Sequence, residues 1–222
     1  MRKTLFSGIA ACLFATAATA AEQSPSVIWT VGQADRSASE FALAPDRFRD
    51  FLANDFGYED KYFLVGHSVP AADFPYVLPG PADTWGGTWP TSGWRTHQVN
   101  ILFGLKEIPS DGTCTLVVDL LDYAKNFLPL VKVSVNTQDA KFQLDAPGLS
   151  VADQRKPNQM EKIVDTLSIT GNLAKATPRR LEIPIRPGVL KAGGNEVTIT
   201  VLEGSWILFD RVSLEGPAGT NV

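Results

Sequence analysis

The fold turns on residues 196–215: Glu196-Val197-Thr198-Ile199-Thr200-Val201-Leu202-Glu203-Gly204-Ser205-Trp206-Ile207-Leu208-Phe209-Asp210-Arg211-Val212-Ser213-Leu214-Glu215. In the first half, Val197, Ile199 and Val201 alternate with Thr198, Thr200 and Leu202. A period of two sends these sets to opposite faces, the pattern of a half-buried strand. After Gly204, the run Ser205–Leu214 is again rich in β-branched and aromatic residues. Similar runs recur upstream at Val27–Val31, Tyr62–Val65, Gln98–Gly104, Thr113–Leu121, Leu130–Val135 and Arg180–Ile185, separated by Gly, Pro, Asn and Asp clusters. Helix signals are few. Pro45–Phe56 carries Phe48, Phe51 and Leu52 at i, i+3 and i+4 and reads as one short helix. Gln159–Leu167 fits helix and strand equally. About eight strands with little helix predict an all-β chain, a two-sheet β-sandwich of jelly-roll type, with a barrel as the alternative.

Residues 1–20 read as a signal peptide. Arg2 and Lys3 are followed by the short apolar run Leu5–Thr16 and the small-x-small site Ala18-Thr19-Ala20. A rival reading takes Cys12 as a lipoprotein site. The mature chain is expected to begin near Ala21, to form one domain over 21–222, and to be secreted or periplasmic. No later segment is long and apolar enough to span a bilayer as a helix. The 20 basic and 24 acidic residues give a net charge of −4, and loss of Arg2 and Lys3 makes it more negative. With no basic cluster, this balance argues against nucleic acid or an anionic membrane as partner. Once Cys12 is removed, Cys114 is alone, so no intrachain disulfide forms. Its strand-like setting reads as a buried small hydrophobe. One Cys and two His do not make a structural zinc site.

Several stretches belong together. Near the expected start is Trp29-Thr30-Val31-Gly32-Gln33-Ala34-Asp35-Arg36-Ser37-Ala38-Ser39-Glu40-Phe41, and at the end is Gly204-Ser205-Trp206-Ile207-Leu208-Phe209-Asp210-Arg211-Val212-Ser213-Leu214-Glu215. Between them lie Tyr62-Phe63-Leu64-Val65-Gly66-His67-Ser68, Val99-Asn100-Ile101-Leu102-Phe103-Gly104-Leu105, Val133-Ser134-Val135-Asn136 and Leu190-Lys191-Ala192-Gly193-Gly194-Asn195. In this order the set resembles the C-terminal carbohydrate-binding-like domain of rhamnogalacturonan lyases, polysaccharide lyase family 4. The resemblance implies a galactose-binding-like jelly roll and a carbohydrate context, with pectin as the suggested polymer. In that family the catalytic Lys and His belong to a large N-terminal domain. Here the resemblance starts directly after the leader, so a chain without that domain is expected and no catalytic residue is carried over.

The opening motif itself reads as structural. Gly32 suits a positive φ or a close approach, Trp29 and Phe41 suit core packing, and Asp35 can cap the turn after it. A calcium ion held by Glu40 and Asp210 between the first and last strands is the functional alternative, as a structural cofactor. It needs six to eight oxygens, of which the sequence suggests few.

The stretch Asp83-Thr84-Trp85-Gly86-Gly87-Thr88-Trp89-Pro90-Thr91-Ser92-Gly93-Trp94 holds three of the five Trp, in the Pro-rich connection 69–90 and just beyond it. Long connections in compact domains often carry function. A pyranose offers an apolar C–H face and a rim of hydroxyls, so an exposed Trp ring with polar neighbours suits it. Trp85 and Trp89 are the expected platform. Arg95 can meet a uronate carboxylate bidentately, and Asp83, Tyr76, His67 and His97 are the expected polar contacts. The alternative is a loop that plugs one end of the sandwich with Trp, Trp94 being the expected core member. The sequence thus predicts a non-catalytic module for acidic, pectin-like polysaccharide, associated with a polysaccharide-degrading enzyme. A stand-alone lyase using His67, His97 and Arg95 and an adaptor for a protein partner stay open. No G-x-S-x-G elbow or phosphate loop is present.

Overall fold

The computed structural model describes residues 26–54, 56, 61–86, 97–109, 113–145 and 167–222. The leader and its cleavage site, Trp89, Trp94, Arg95 and most of Gln159–Leu167 lie outside the described residues. Among the described residues there are ten strands: β1 (Ser26–Gly32), β2 (Tyr62–Leu64), β3 (Val77–Leu78), β4 (His97–Leu105), β5 (Thr115–Tyr123), β6 (Leu130–Val135), β7 (Gln138–Gln143), β8 (Arg179–Pro184), β9 (Gly193–Glu203) and β10 (Ile207–Gly216). The first sheet runs β1-β10-β5-β8, with β3 also on β10. The second runs β2-β4-β9-β6-β7. Between consecutive strands the chain changes sheet at every step except β6 to β7. The expected β-sandwich is what the sequence forms, and all eight predicted strands are found within a few residues of their expected ends.

Alternation decides which side of each strand is buried. Val197, Ile199 and Val201 of β9 lie opposite Val135, Val133 and Val131 of β6, and all six are completely buried. Burying each such side chain contributes about 1.5–3 kcal/mol. The sheets meet through rings: Trp29 of β1 packs on Phe103 of β4 with centroids 5.2 Å apart. Phe74 lies between Phe209 of β10 at 5.1 Å and Phe63 of β2 at 5.8 Å. Gly32 has φ +80°, and a Cβ there would meet the Phe41 ring and, at 2.6 Å, the Asp210 carbonyl oxygen. The Asp35 carboxylate accepts the Ser37 N–H at 2.9 Å. The opening motif is therefore built into the packing, as its residues suggested. Cys114 is a free, buried thiol, and burial pushes its pKa up.

The helix expected over Pro45–Phe56 is not continuous. Only Phe48–Asp50 forms a 3-10 turn, flanked by isolated turns. Ring packing sets this path, because Phe48 and Phe51 both stand edge-on to Trp85, at 5.1 and 6.0 Å. A four-residue helix that sequence periodicity did not suggest, α1 (Pro70–Asp73), begins with Pro, and Asp73 accepts the Val69 N–H at 2.8 Å.

The outward faces of the two sheets differ. On the first, Arg211 reaches Asp119 at 2.9 Å and Glu215 at 3.2 Å, while Arg180 reaches Asp119 at 3.2 Å and Glu182 at 2.6 Å. These charges satisfy one another. On the second sheet no such network covers β4 and β9 among the described residues.

Candidate functional site

A trough of about 450 Å³ lies over β4 and β9 on the second sheet. In register, Leu64 of β2 stands beside Leu102 of β4, which stands beside Glu196 of β9. One step further, Gly104 faces Gly194. The two leucines form an aliphatic ledge, with Leu64 at 42 % exposure. The two glycines leave bare backbone as the floor. His67, exposed on the turn after β2, stands at one side, and Asn136 and Lys191 stand at the other.

The far wall is braced by two asparagines. Asn136 sits at φ +49° in the β6–β7 turn. Its amide donates to the Val189 carbonyl and to Asn195 Oδ1, both at 2.8 Å, and its Oδ1 accepts the Glu196 N–H at 3.0 Å. Asn195, itself buried, accepts the Lys191 N–H at 3.0 Å and donates to the Lys191 and Gly193 carbonyls at 2.8 and 2.9 Å. The turn that presents Lys191 is thereby held at both ends. Lys191 is exposed and pairs with no carboxylate among the described residues. The trough thus offers an apolar ledge, hydrogen-bonding groups on both sides, one cation carried on a braced turn and one carboxylate. No nucleophile–base pair lines it among the described residues.

Of the expected site residues that are described with their side chains, His67 alone lines this trough. Tyr76 is 1 % exposed, and its hydroxyl donates to the Ile169 carbonyl at 2.7 Å. Burial raises its pKa. It is a core residue with no free face, which corrects its reading as a polar contact. Asp83 is likewise structural. Its buried carboxylate accepts the Gly80 N–H at 2.9 Å and the Ser205 hydroxyl at 2.6 Å, tying that loop to the β9–β10 turn. Trp85 is half-buried, with Phe48 and Phe51 edge-on to it, so its ring is committed to packing rather than freely presented. His97 opens β4 opposite Val201, and its side chain, like Trp89 and Arg95, lies outside the described residues.

Glu40 and Asp210 do approach the junction of the first and last strands. Each is already used by backbone: Glu40 accepts the Gln33 N–H at 2.8 Å and Asp210 accepts the Arg36 N–H at 3.1 Å. Burial, against that hydrogen bond, pushes the Asp210 carboxyl up to about 6, helped by the charges of Asp35, Asp119 and Glu40. No group of three or more His, Cys, Asp or Glu among the described residues is arranged to hold a metal. As built, this donor set falls short of a calcium shell.

Sequence reasoning missed the trough because its floor is made of absent side chains. A signal existed all the same. Four of the stretches that carry the family resemblance, 62–68, 99–105, 133–136 and 190–195, converge on it.

Comparison with known proteins agrees with the fold. The family model described as CBM-like, polysaccharide lyase family 4, domain III, matches residues 27–214. No curated protein matches the chain. Among solved structures, a family GH115 4-O-methyl-alpha-glucuronidase with specificity for decorated arabinogalactans is similar at 16 % identity and TM-score 0.30, over 54 % of this chain and 13 % of that one. A ruminal GH26 endo-beta-1,4-mannanase is similar at 16 % identity and TM-score 0.30, over 64 % of this chain and 25 % of that one. This chain therefore corresponds to only a small part of either enzyme.

Proposed function

Since the chain belongs to the CBM-like family of polysaccharide lyase family 4 domain III, we propose that it is an exported, non-catalytic module that binds an acidic, pectin-like polysaccharide such as rhamnogalacturonan, in the trough over β4 and β9. The observation that carries this reading is the combination of a Leu64–Leu102 ledge with Lys191, His67, Asn136 and Glu196 around a bare floor. The ledge suits the C–H face of a pyranose. His67 and Glu196 suit its hydroxyl rim, and Lys191, on the turn that Asn136 braces, supplies a point charge for a uronate carboxylate. Glu196 disfavours a carboxylate on its own side, so the acidic group lies toward Lys191.

The test is a calorimetric titration of the mature chain with rhamnogalacturonan oligosaccharides, followed by the ultraviolet absorbance of unsaturated ends. Saturable heat with a Kd of millimolar to micromolar order, about −4 to −8 kcal/mol, and no product is expected. Lys191→Ala should weaken the acidic ligand more than a neutral galactan of equal length. Unsaturated product would make the chain a lyase. Absence of heat, with retention of a polysaccharide-degrading enzyme on the immobilised chain, would make it an adaptor. Loss of binding in Trp89→Ala but not in Lys191→Ala would move the site to the Trp-rich loop.

A further inference from the structure

Two of the glycines have no structural need to be glycine. Gly104 lies inside β4, and Gly194 lies at the start of β9 directly opposite. Neither has a positive φ, unlike its neighbour Gly193 at +83°. A Cβ on Gly104 would meet nothing nearer than the Gly193 carbonyl oxygen at 4.0 Å, and a Cβ on Gly194 would meet nothing within 4 Å. By contrast Gly32, Gly80 and Gly204 cannot take a Cβ without collision. Glycine inside a strand weakens it through backbone entropy and offers no side chain to pack. The local cost is real, and among the described residues nothing packs into the space these glycines leave. What the pair does create is the floor of the trough.

We propose that Gly104 and Gly194 are ligand-contact positions whose missing side chains let an extended glycan lie directly on the backbone of β4 and β9. This rests on the reading of the trough as a carbohydrate site and adds how the sugar is seated. On the outward face of a sheet, peptide N–H and C=O groups point sideways to neighbouring strands, so the exposed floor is mainly Cα–H. Such a floor suits a ring lying flat with its C–H side down, beside the Leu64–Leu102 ledge and with its carboxylate toward Lys191. It selects a residue whose floor-facing side bears no branch. A branched residue would need the height that a flat ring leaves unused.

The experiment substitutes Thr, a strong strand former, at each glycine and at both, with Gly104→Ala and Gly194→Ala as the smaller step. Melting temperature and affinity for linear rhamnogalacturonan oligosaccharides are read on the same samples. The expected result is an unchanged or higher melting temperature, with affinity reduced roughly tenfold or more by each Thr and less by Ala. Two results overturn the proposal: Thr variants that bind as the parent does, or variants that lose both stability and binding in Ala as well as Thr form, which would make the glycines structural. A parent chain that binds no glycan at all removes the carbohydrate reading itself, and the seating proposal with it. A parent that binds and loses affinity only in Trp89→Ala leaves the module reading intact and refutes the glycine floor alone.

Discussion

Replacing Lys125 by Met should cost the fold about 3–5 kcal/mol, the range for breaking a buried ion pair on one side. Lys125 and Asp122 lie 2.7 Å apart, with side chains 8 % and 0 % exposed. Asp122 also accepts the Ser168 hydroxyl at 2.7 Å and the Thr177 N–H at 3.0 Å. Lys125 donates to the Tyr123 carbonyl at 2.9 Å and stands 3.2 Å from the centroid of that ring. Met fills much the same volume, so the change removes charge and little packing. It leaves a carboxylate out of water without the cation 2.7 Å from it, while the Ser168 hydroxyl and the Thr177 N–H still donate to it. For a chain of this size each kcal/mol moves the melting temperature by about 2–4 °C, so a fall of roughly 6–20 °C is expected by calorimetry, with a matching fall in the urea midpoint. The double variant Asp122→Asn, Lys125→Met should recover more than half of the loss. Its amide oxygen still accepts from Thr177 and its NH₂ can meet Ser168. A single variant that loses under about 1 kcal/mol, or a double variant no better than the single, would refute the argument that an uncompensated charge is what hurts.

Asp210→Asn should act in the opposite sense. A carboxyl raised to about 6 in the folded chain holds its proton to higher pH than in the unfolded chain, so the contribution of Asp210 to stability is greatest in acid and declines as pH rises from about 4 to 6. At neutral pH the decline amounts to at most about 3 kcal/mol. The Asn variant should melt higher than the parent at pH 7.5 and no higher at pH 4. A large rise in the parent's melting temperature with added calcium would instead mark Asp210 as a metal ligand. Trp85→Ala should lose about 2–3 kcal/mol, less than a fully buried ring, with glycan affinity in calorimetry unchanged. A tenfold weaker affinity in a folded Trp85→Ala sample would restore the platform reading of that ring. Asn136→Ala should cost about 1–3 kcal/mol by leaving buried partners unsatisfied, measured by urea unfolding, and should weaken acidic ligand binding through the loosened Lys191 turn.

The fold was legible where burial leaves a period in the sequence. β9 and β6 were plain because Val and Ile alternate with Thr, Lys and Ser along them. β7 was not, because its inward set is Gln138, Ala140 and Phe142 and its Gln138 amide serves as a hydrogen-bond donor to the Pro184 carbonyl. β3 is two residues long and exists only by pairing with Ile207 and Leu208. The apolar spacing of Pro45–Phe56 correctly marked buried rings, yet those rings pack around Trp85 in single turns, and spacing alone cannot separate that from a helix. At the candidate site, His67 could be found as a polar residue on a loop. Tyr76 and Asp83 could not be placed, since their burial is set by partners more than 90 residues away, Ile169 and Ser205. The floor was hidden because glycine in a strand reads as weakness until the space above it is seen.

The strand order carries a consequence for how the chain comes together. The last two strands in sequence are interior strands of the two sheets: β9 lies between β4 and β6, and β10 between β1 and β5. A polypeptide emerging N-terminus first therefore holds β4 and β6 with no strand between them, and β1 and β5 likewise, until β9 and β10 arrive. Until then their apolar rows and pairing edges are open, the condition in which strands join the wrong partner. By topology alone both sheets stay open until β9 and β10 have been made, and loss of these two strands would cost both sheets at once.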